Sequence, residues 1–268
     1  MPELPEVETV KNGLLKRIKG KKIISCKVLW PGIIAMPDKE TFIRNIANQS
    51  IIDLSRRGKF IMIELNDYYL ISHLRMEGKY FIKDKNEDLS KHDHVIFLLD
   101  DNTELRYNDT RKFGKMYLVK KSDLNKTPLN DLGLEPWDDN LTSNYLKKKL
   151  NKKKAIKTLL LDQSIIAGIG NIYADEILYL SSINPLCNGC DLANKNLLDI
   201  IKNTRFVLEE SIKLGGSTIH TYSSVDGVTG MFQQHLLVHG KKECPKGHCV
   251  EKIVVNGRGT YYCPKCQK

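Results

Sequence analysis

No stretch of about eighteen residues is free of charge, so the chain offers no transmembrane helix. It contains no internal repeat. Its first residues, Met-Pro-Glu-Leu-Pro-Glu-Val-Glu, lack the basic start and apolar run of a secretory or organellar targeting segment. Cysteine is sparse until the end: of seven, only Cys26, Cys187 and Cys190 precede the last 25 residues. An odd count clustered in this way excludes a secreted disulfide framework and predicts a cytoplasmic protein.

Acidic charge is also the smaller share. Lys plus Arg number 42 against 32 Asp plus Glu, a formal charge of +10 over 268 residues. That surplus suits a polyanionic partner, although many basic proteins are merely soluble. The length allows one large domain or two smaller ones with proper cores.

The chain opens as a helix. Pro5 suits a first turn, and Glu3, Glu6 and Glu8 sit where the helix dipole favours carboxylates. Val7, Val10, Leu14, Leu15 and Ile18 then recur at helical spacing, ending near Gly20. From Lys22 to about Lys120, short runs such as Phe-Ile-Met-Ile-Glu-Leu and His-Val-Ile-Phe-Leu-Leu read as strands. Many short strands favour an antiparallel sandwich or barrel over a parallel sheet. Helical periodicity dominates from Ala155 to Leu214, so domains are expected at 1–130 and 155–239, with a hinge at 131–154. The lysine run 147–154 reads as a solvated helix face or hinge.

Residues 240–268 read as a metal-stapled hairpin. Asn256-Gly257 between two strand-like runs is a strong hairpin signal, since both turn residues tolerate positive φ. Such a hairpin cannot bury a core and needs a staple. Cys263-Pro-Lys-Cys266 supplies two soft ligands, and Cys244 with Cys249 two more, with His248 competing for the place of Cys249. Four ligands leave no open position, so a zinc ion held there is structural. Cys187-Asn-Gly-Cys190 has no partner pair nearby and reads as turn chemistry.

Gly168-Ile-Gly170-Asn171 joins two helical stretches, with Asn171 a fitting cap for the second. Such a junction presents backbone N–H groups to a phosphate. Taken with Met1-Pro-Glu-Leu-Pro-Glu-Val-Glu-Thr9, Lys91-His-Asp-His94, Asp109-Thr-Arg-Lys-Phe-Gly114, Gly215-Gly-Ser217, Phe232-Gln-Gln234 and Gly257-Arg-Gly-Thr260, the chain resembles the formamidopyrimidine-DNA glycosylases over essentially its whole length.

That resemblance implies an α+β protein: a leading helix plus antiparallel β-sandwich, then a helix–two-turns–helix domain with a C-terminal β-hairpin zinc finger. It implies a monomeric enzyme of base-excision repair that acts on damaged double-stranded DNA and excises oxidised purines. Pro2, exposed as a chain-terminal amine once Met1 is removed, would be the nucleophile. Such an amine titrates well below lysine, so part of it is unprotonated near neutral pH. It could attack C1′ and form an iminium intermediate. By resemblance Glu3 shuttles protons, Glu6 supports the site, and Lys59 and Arg258 complete the catalytic set. His73, His94 and Asn171, with Arg258, would grip phosphates, and Met76, Arg111 and Phe113 would fill the void left by the extruded base.

Two departures stand out. The first zinc pair is irregular, with Lys246 near the place of the usual second cysteine. His220 lies in the segment resembling the lesion-capping loop, where family members often carry a basic residue, which loosens the expected lesion preference. The rival readings are an endonuclease VIII-like enzyme for oxidised pyrimidines and a non-catalytic DNA-binding protein.

Overall fold

The computed structural model describes residues 1–217 and 230–268, and His220 lies outside them. The chain divides into two compact units, Met1–Asn130 with Gly215–Gly230, and Asp131–Leu214 with Met231–Lys268. Among the described residues, no helix is long and apolar enough to cross a membrane.

The first unit begins with α1 (Leu4–Ile18), whose spaced residues Leu4, Val7, Val10, Leu14 and Ile18 are all buried. Nine strands follow: β1 (Ile23–Val28), β2 (Ile34–Met36), β3 (Ile51–Arg57), β4 (Phe60–Leu65), β5 (Tyr68–His73), β6 (Lys79–Asp84), β7 (Asp93–Leu99), β8 (Thr103–Asn108) and β9 (Lys115–Lys120). They form a four-stranded sheet, β1-β7-β8-β6, and a five-stranded sheet, β2-β9-β5-β4-β3. Every pairing is antiparallel except that of β2 with β9. Phe97, Leu99 and Leu105 from one sheet share a core with Ile61, Ile63, Leu70 and Leu118 from the other and with the apolar face of α1. The expected helix-plus-sandwich architecture is therefore present. A short helix, α2 (Lys39–Ile46), interrupts the strands; Asp38 caps it by accepting a hydrogen bond from the Thr41 N–H at 2.9 Å. Strand periodicity does not announce it.

The second unit holds α3 (Ser143–Leu150), α4 (Ile156–Leu160), α5 (Asn171–Leu180) and α6 (Asn194–Lys213), then the hairpin β10 (Glu251–Val255) and β11 (Arg258–Tyr262). Leu146 and Leu150 bury one face of α3, while Lys147, Lys148 and Lys149 lie on its exposed face. Lys147–Lys149 thus form a solvated helix face, while exposed Lys152, Lys153 and Lys154 lie in the connection to α4.

Candidate active site and metal centre

The start of α1 is built around two buried carboxylates. Glu3 is the N-cap residue and Glu6 stands one turn on, with 3 % and 2 % of their surfaces exposed. The Glu3 backbone N–H donates to Glu6 Oε2 at 2.8 Å, the return half of a capping box. The other oxygen, Oε1, accepts from the Ser217 N–H at 2.7 Å. Gly216, at φ +86°, makes that approach possible: a Cβ there would lie 2.9 Å from Oε1. Pro2 is buried directly before Glu3, and Met1 is 47 % exposed.

Lys59 sits in the two-residue loop joining β3 to β4, where Gly58 supplies the positive φ such a loop needs. Arg56 anchors this hairpin to α1 through Glu8 Oε2 at 2.9 Å and bonds the Gly58 carbonyl at 2.9 Å. Burial would raise the Glu8 carboxyl, but hydrogen bonds from Lys11 and Arg56 outweigh it and hold Glu8 below its ordinary value. Directly across from Phe60 in the sheet lies His73. Burial, with the nearby charges of Arg75 and Lys59, pushes His73 down to about 3. His73 is therefore a neutral imidazole whose Nδ1 accepts the Arg75 N–H at 2.9 Å, leaving Nε2–H as its donor.

Half-buried Met76 and the exposed pair Arg111, Phe113 lie on two adjoining loops. Fully buried Asp109 organises the second: its carboxylate accepts the N–H groups of Arg111 at 3.0 Å and Gly114 at 2.8 Å. His94 Nε2 lies 2.8 Å from the Asp109 carbonyl oxygen. Thr110 donates to Glu77, linking the loops. The Tyr107 hydroxyl is wedged between them, and a Cβ at Gly78 or Gly114 would overlap it, at 2.2 and 1.7 Å. Phe113 is 49 % exposed, with the Arg111 guanidinium 4.8 Å over its ring. Phe113 is thus a surface side chain rather than part of the core.

In the second unit, Gly170 rather than Asn171 is the N-cap of α5; Asn171 is its first residue, and its amide instead donates to the Gly259 carbonyl at 2.9 Å, fixing the hairpin beside exposed Arg258. Below this contact lies a buried ionic network. Asp175 faces Lys157, His239 Nδ1 at 2.7 Å and the Tyr261 N–H at 3.2 Å. Glu176 accepts the N–H groups of Leu237, Val238 and His239 at 2.7, 3.1 and 2.8 Å.

The metal centre corrects one expectation. Cys244, His248, Cys263 and Cys266 bring their donor atoms within 4.8 Å of one another, and Cys249 is not among them. The reason is local backbone geometry. Gly247, at φ +72°, turns the chain so that its N–H bonds the Cys244 carbonyl and the Cys244 N–H bonds the His248 carbonyl. Extended neighbours point to opposite sides, so His248 faces inward while Cys249 is exposed. The knuckle is thus Cys-x3-His. His248 Nδ1 lies 3.2 Å and Cys244 Sγ 4.0 Å from Cys266 Sγ. A tetrahedral zinc ion wants such donors about 3.4–3.8 Å apart, so the site fits one structural ion. Burial alone would raise the Cys244 thiol, but the N–H groups of His248 and Lys246 aimed at it bring it to about 7, favouring the thiolate. Asn256 and Gly257 both have positive φ, as the hairpin signal requires.

Cys187 and Cys190 join no metal cluster among the described residues. Sequence reasoning overlooks the clasp of Glu6 by Gly216 and Ser217, the bracing by Asp109 and Tyr107, and the Lys157–Asp175–His239 network. Only an isolated Asp before Thr-Arg-Lys-Phe-Gly hinted at the loop brace.

Three family models account for most of the chain. The formamidopyrimidine-DNA glycosylase N-terminal domain matches residues 1–116, the formamidopyrimidine-DNA glycosylase H2TH domain 132–223, and the zinc finger found in FPG and IleRS 247–268. The chain belongs to the formamidopyrimidine-DNA glycosylase family. It is 46 % identical over 273 residues to the formamidopyrimidine-DNA glycosylase of Shouchella clausii and 45 % to that of Bacillus subtilis, covering 100 % of this chain and 99 % of each relative. A solved complex between Lactococcus lactis Fpg and an abasic site containing DNA aligns with TM-score 0.93 at 39 % identity, covering 99 % of both chains. A Lactococcus lactis FPG mutant bound to a Fapy-dG containing DNA aligns with TM-score 0.94 at 40 % identity, covering 100 % of both. This member of the family carries one structural zinc ion, which the three thiols of Cys244, Cys263 and Cys266 and the His248 imidazole would hold.

Proposed function

We propose that this chain is a bifunctional DNA glycosylase and AP lyase of base-excision repair, acting on oxidised purines in damaged duplex DNA. The observation that carries the reading is the buried Glu3–Glu6 pair directly behind Pro2. Two carboxylates kept from water at a chain terminus cost solvation, and the Ser217 clasp around Glu6 compensates for it. Such an arrangement suits proton transfer at a terminal amine.

In this mechanism Met1 is removed and the Pro2 amine attacks C1′ of the damaged nucleotide. The C1′–base bond breaks and the base leaves with a proton as the amine gives up its own; the C1′–O4′ bond then opens, O4′ takes a proton, and C1′ and the proline nitrogen form an iminium ion. Glu3 moves protons at the sugar ring oxygen, and Glu6 holds Glu3 in register through its backbone N–H. Elimination of the 3′ and then the 5′ phosphate leaves a one-nucleoside gap. Lys59, Arg258, His73, His94 and Asn171 bind phosphates, contacts that position the protein without reading sequence. Neutral His73 serves there as a hydrogen-bond donor rather than a charge. Phe113 and Met76 enter the stack as the base leaves, and Arg111 pairs with the orphaned cytosine. The zinc ion, when bound, supplies no chemistry; its four ligands hold the hairpin that presents Arg258.

Borohydride trapping tests this reading. The wild type is expected to form a covalent adduct with 8-oxoguanine duplex, and a blocked N-terminus or retained Met1 abolishes it. No adduct, or one indifferent to blocking, defeats the assignment of Pro2. Preference for thymine glycol over 8-oxoguanine would shift the substrate class to oxidised pyrimidines.

A further inference from the structure

Trp30 is one of two tryptophans in the chain, and 42 % of its surface is exposed. Its surroundings are shaped to hold it. Gly32 gives the indole room, since a Cβ there would lie 2.7 Å from Nε1. The N–H groups of Leu29 and Trp30 both donate to the His94 carbonyl, at 2.8 and 3.3 Å, and Lys115 Nζ donates to the Gly32 carbonyl at 2.6 Å. These bonds seat the 29–33 segment against the two ends of the wedge loop, since His94 also meets the Asp109 carbonyl and Lys115 opens β9.

The exposed face of the indole carries the Lys112 ammonium, 4.1 Å from the ring centroid and within cation–π range. Lys112 is the residue between Arg111 and Phe113, and it holds φ at +58°. A non-glycine residue in that region is strained and persists only where its surroundings hold it. Arg111 meanwhile stacks on Phe113. The middle side chain of the tripeptide is thus bound to Trp30, and the outer two to each other.

We propose that Trp30 is a positioning residue for the wedge: its ring holds the Lys112 ammonium and with it the backbone turn that aims Arg111 and Phe113. The inference rests on reading that loop as the void-filling wedge. At a solvent-exposed site a cation–π contact is worth about a two- to fivefold effect, so Trp30 tunes extrusion rather than enabling it.

The test is single-turnover excision of 8-oxoguanine opposite cytosine, beside cleavage of a preformed abasic site in the same duplex. An abasic site has no base to extrude, so its cleavage depends on the wedge only through the void and the orphaned cytosine. W30A and K112M are each expected to slow excision about two- to fivefold, with the double variant no slower than either. W30F and K112R, which keep a cation over an aromatic face, retain the wild-type rate, and W30A and K112M slow abasic cleavage less than they slow excision. Multiplying losses in the double variant would overturn the proposal. So would a W30A of normal rate beside a K112M that merely binds DNA more weakly, because Lys112 then meets a phosphate by itself. F113A separates the two levels. If F113A excises normally, the wedge reading fails and the inference with it; if F113A is slow while W30A is normal, only the inference fails. Should W30A fail to fold, W30L takes its place: excision slowed as in K112M supports the proposal, and a normal rate overturns it.

Discussion

The Glu6 carboxylate accepts the backbone N–H of Ser217, 211 residues away in the chain, at 2.7 Å, while its other oxygen holds the N–H of Glu3. One side chain thus ties the chain terminus to a distant glycine-rich turn.

Gly216→Ala tests that clasp. The new methyl would meet Glu6 Oε1 at 2.9 Å from a backbone at φ +86°, so both sterics and conformation oppose it. We expect a loss of about 1–3 kcal/mol by chemical denaturation. Borohydride trapping should fall more steeply than DNA binding. A variant as stable and as active as the wild type would show that the clasp is dispensable.

The metal centre makes a sharper prediction. His248→Ala is expected to lose zinc and Cys249→Ala to retain it, as measured by metal quantitation on the purified proteins. Chelation should likewise weaken DNA binding, because the hairpin that carries Arg258 has no core of its own. The reverse pattern of zinc loss would restore Cys249 as the ligand.

Acid stability should reflect His73. An unfolded histidine titrates near 6.5, whereas buried His73 is held down to about 3. Its folded form is thus the neutral one, so its contribution is present above the unfolded value and declines as pH falls from about 6.5 towards 3. Wild-type stability should drop between pH 7 and pH 5 by more than that of His73→Asn, by up to about 1.4 kcal/mol per pH unit below 6.5. Parallel pH profiles for the two proteins would remove His73 as the source.

Asp175 is expected to matter for folding before chemistry. Asp175→Ala takes away the carboxylate facing fully buried Lys157, His239 and the Tyr261 N–H. Leaving a buried charge without its counterion costs about 3–5 kcal/mol. Denaturant midpoints at saturating zinc would measure it, and a shift under about 1 kcal/mol would mean that other partners suffice.

The sequence was most informative where chemistry is local. Apolar spacing in α1, the Asn256-Gly257 turn and the strand runs of the first unit depend on near neighbours, and each is found where the residues indicate. The metal cluster was legible in kind, because clustered soft ligands in the last 25 residues have few other uses. Its fourth ligand was not. Cys249 and His248 are adjacent, and the choice turned on how Gly247 bends the chain, which no spacing rule encodes.

By itself, then, the sequence determined the helix at the start, the strand-rich first half, the helical second half, the zinc hairpin and the family. Only the tertiary structure decided that Ser217 holds Glu6, that Asp109 and Tyr107 brace the wedge loop, and that Trp30 lies under Lys112. The Ser217 clasp, the Tyr107 contact with Gly78 and the Trp30–Lys112 contact join residues far apart in the chain through contacts a few ångströms long. Periodicity fixes which face of an element is apolar, but the partner that meets a buried polar group is chosen by how the elements pack.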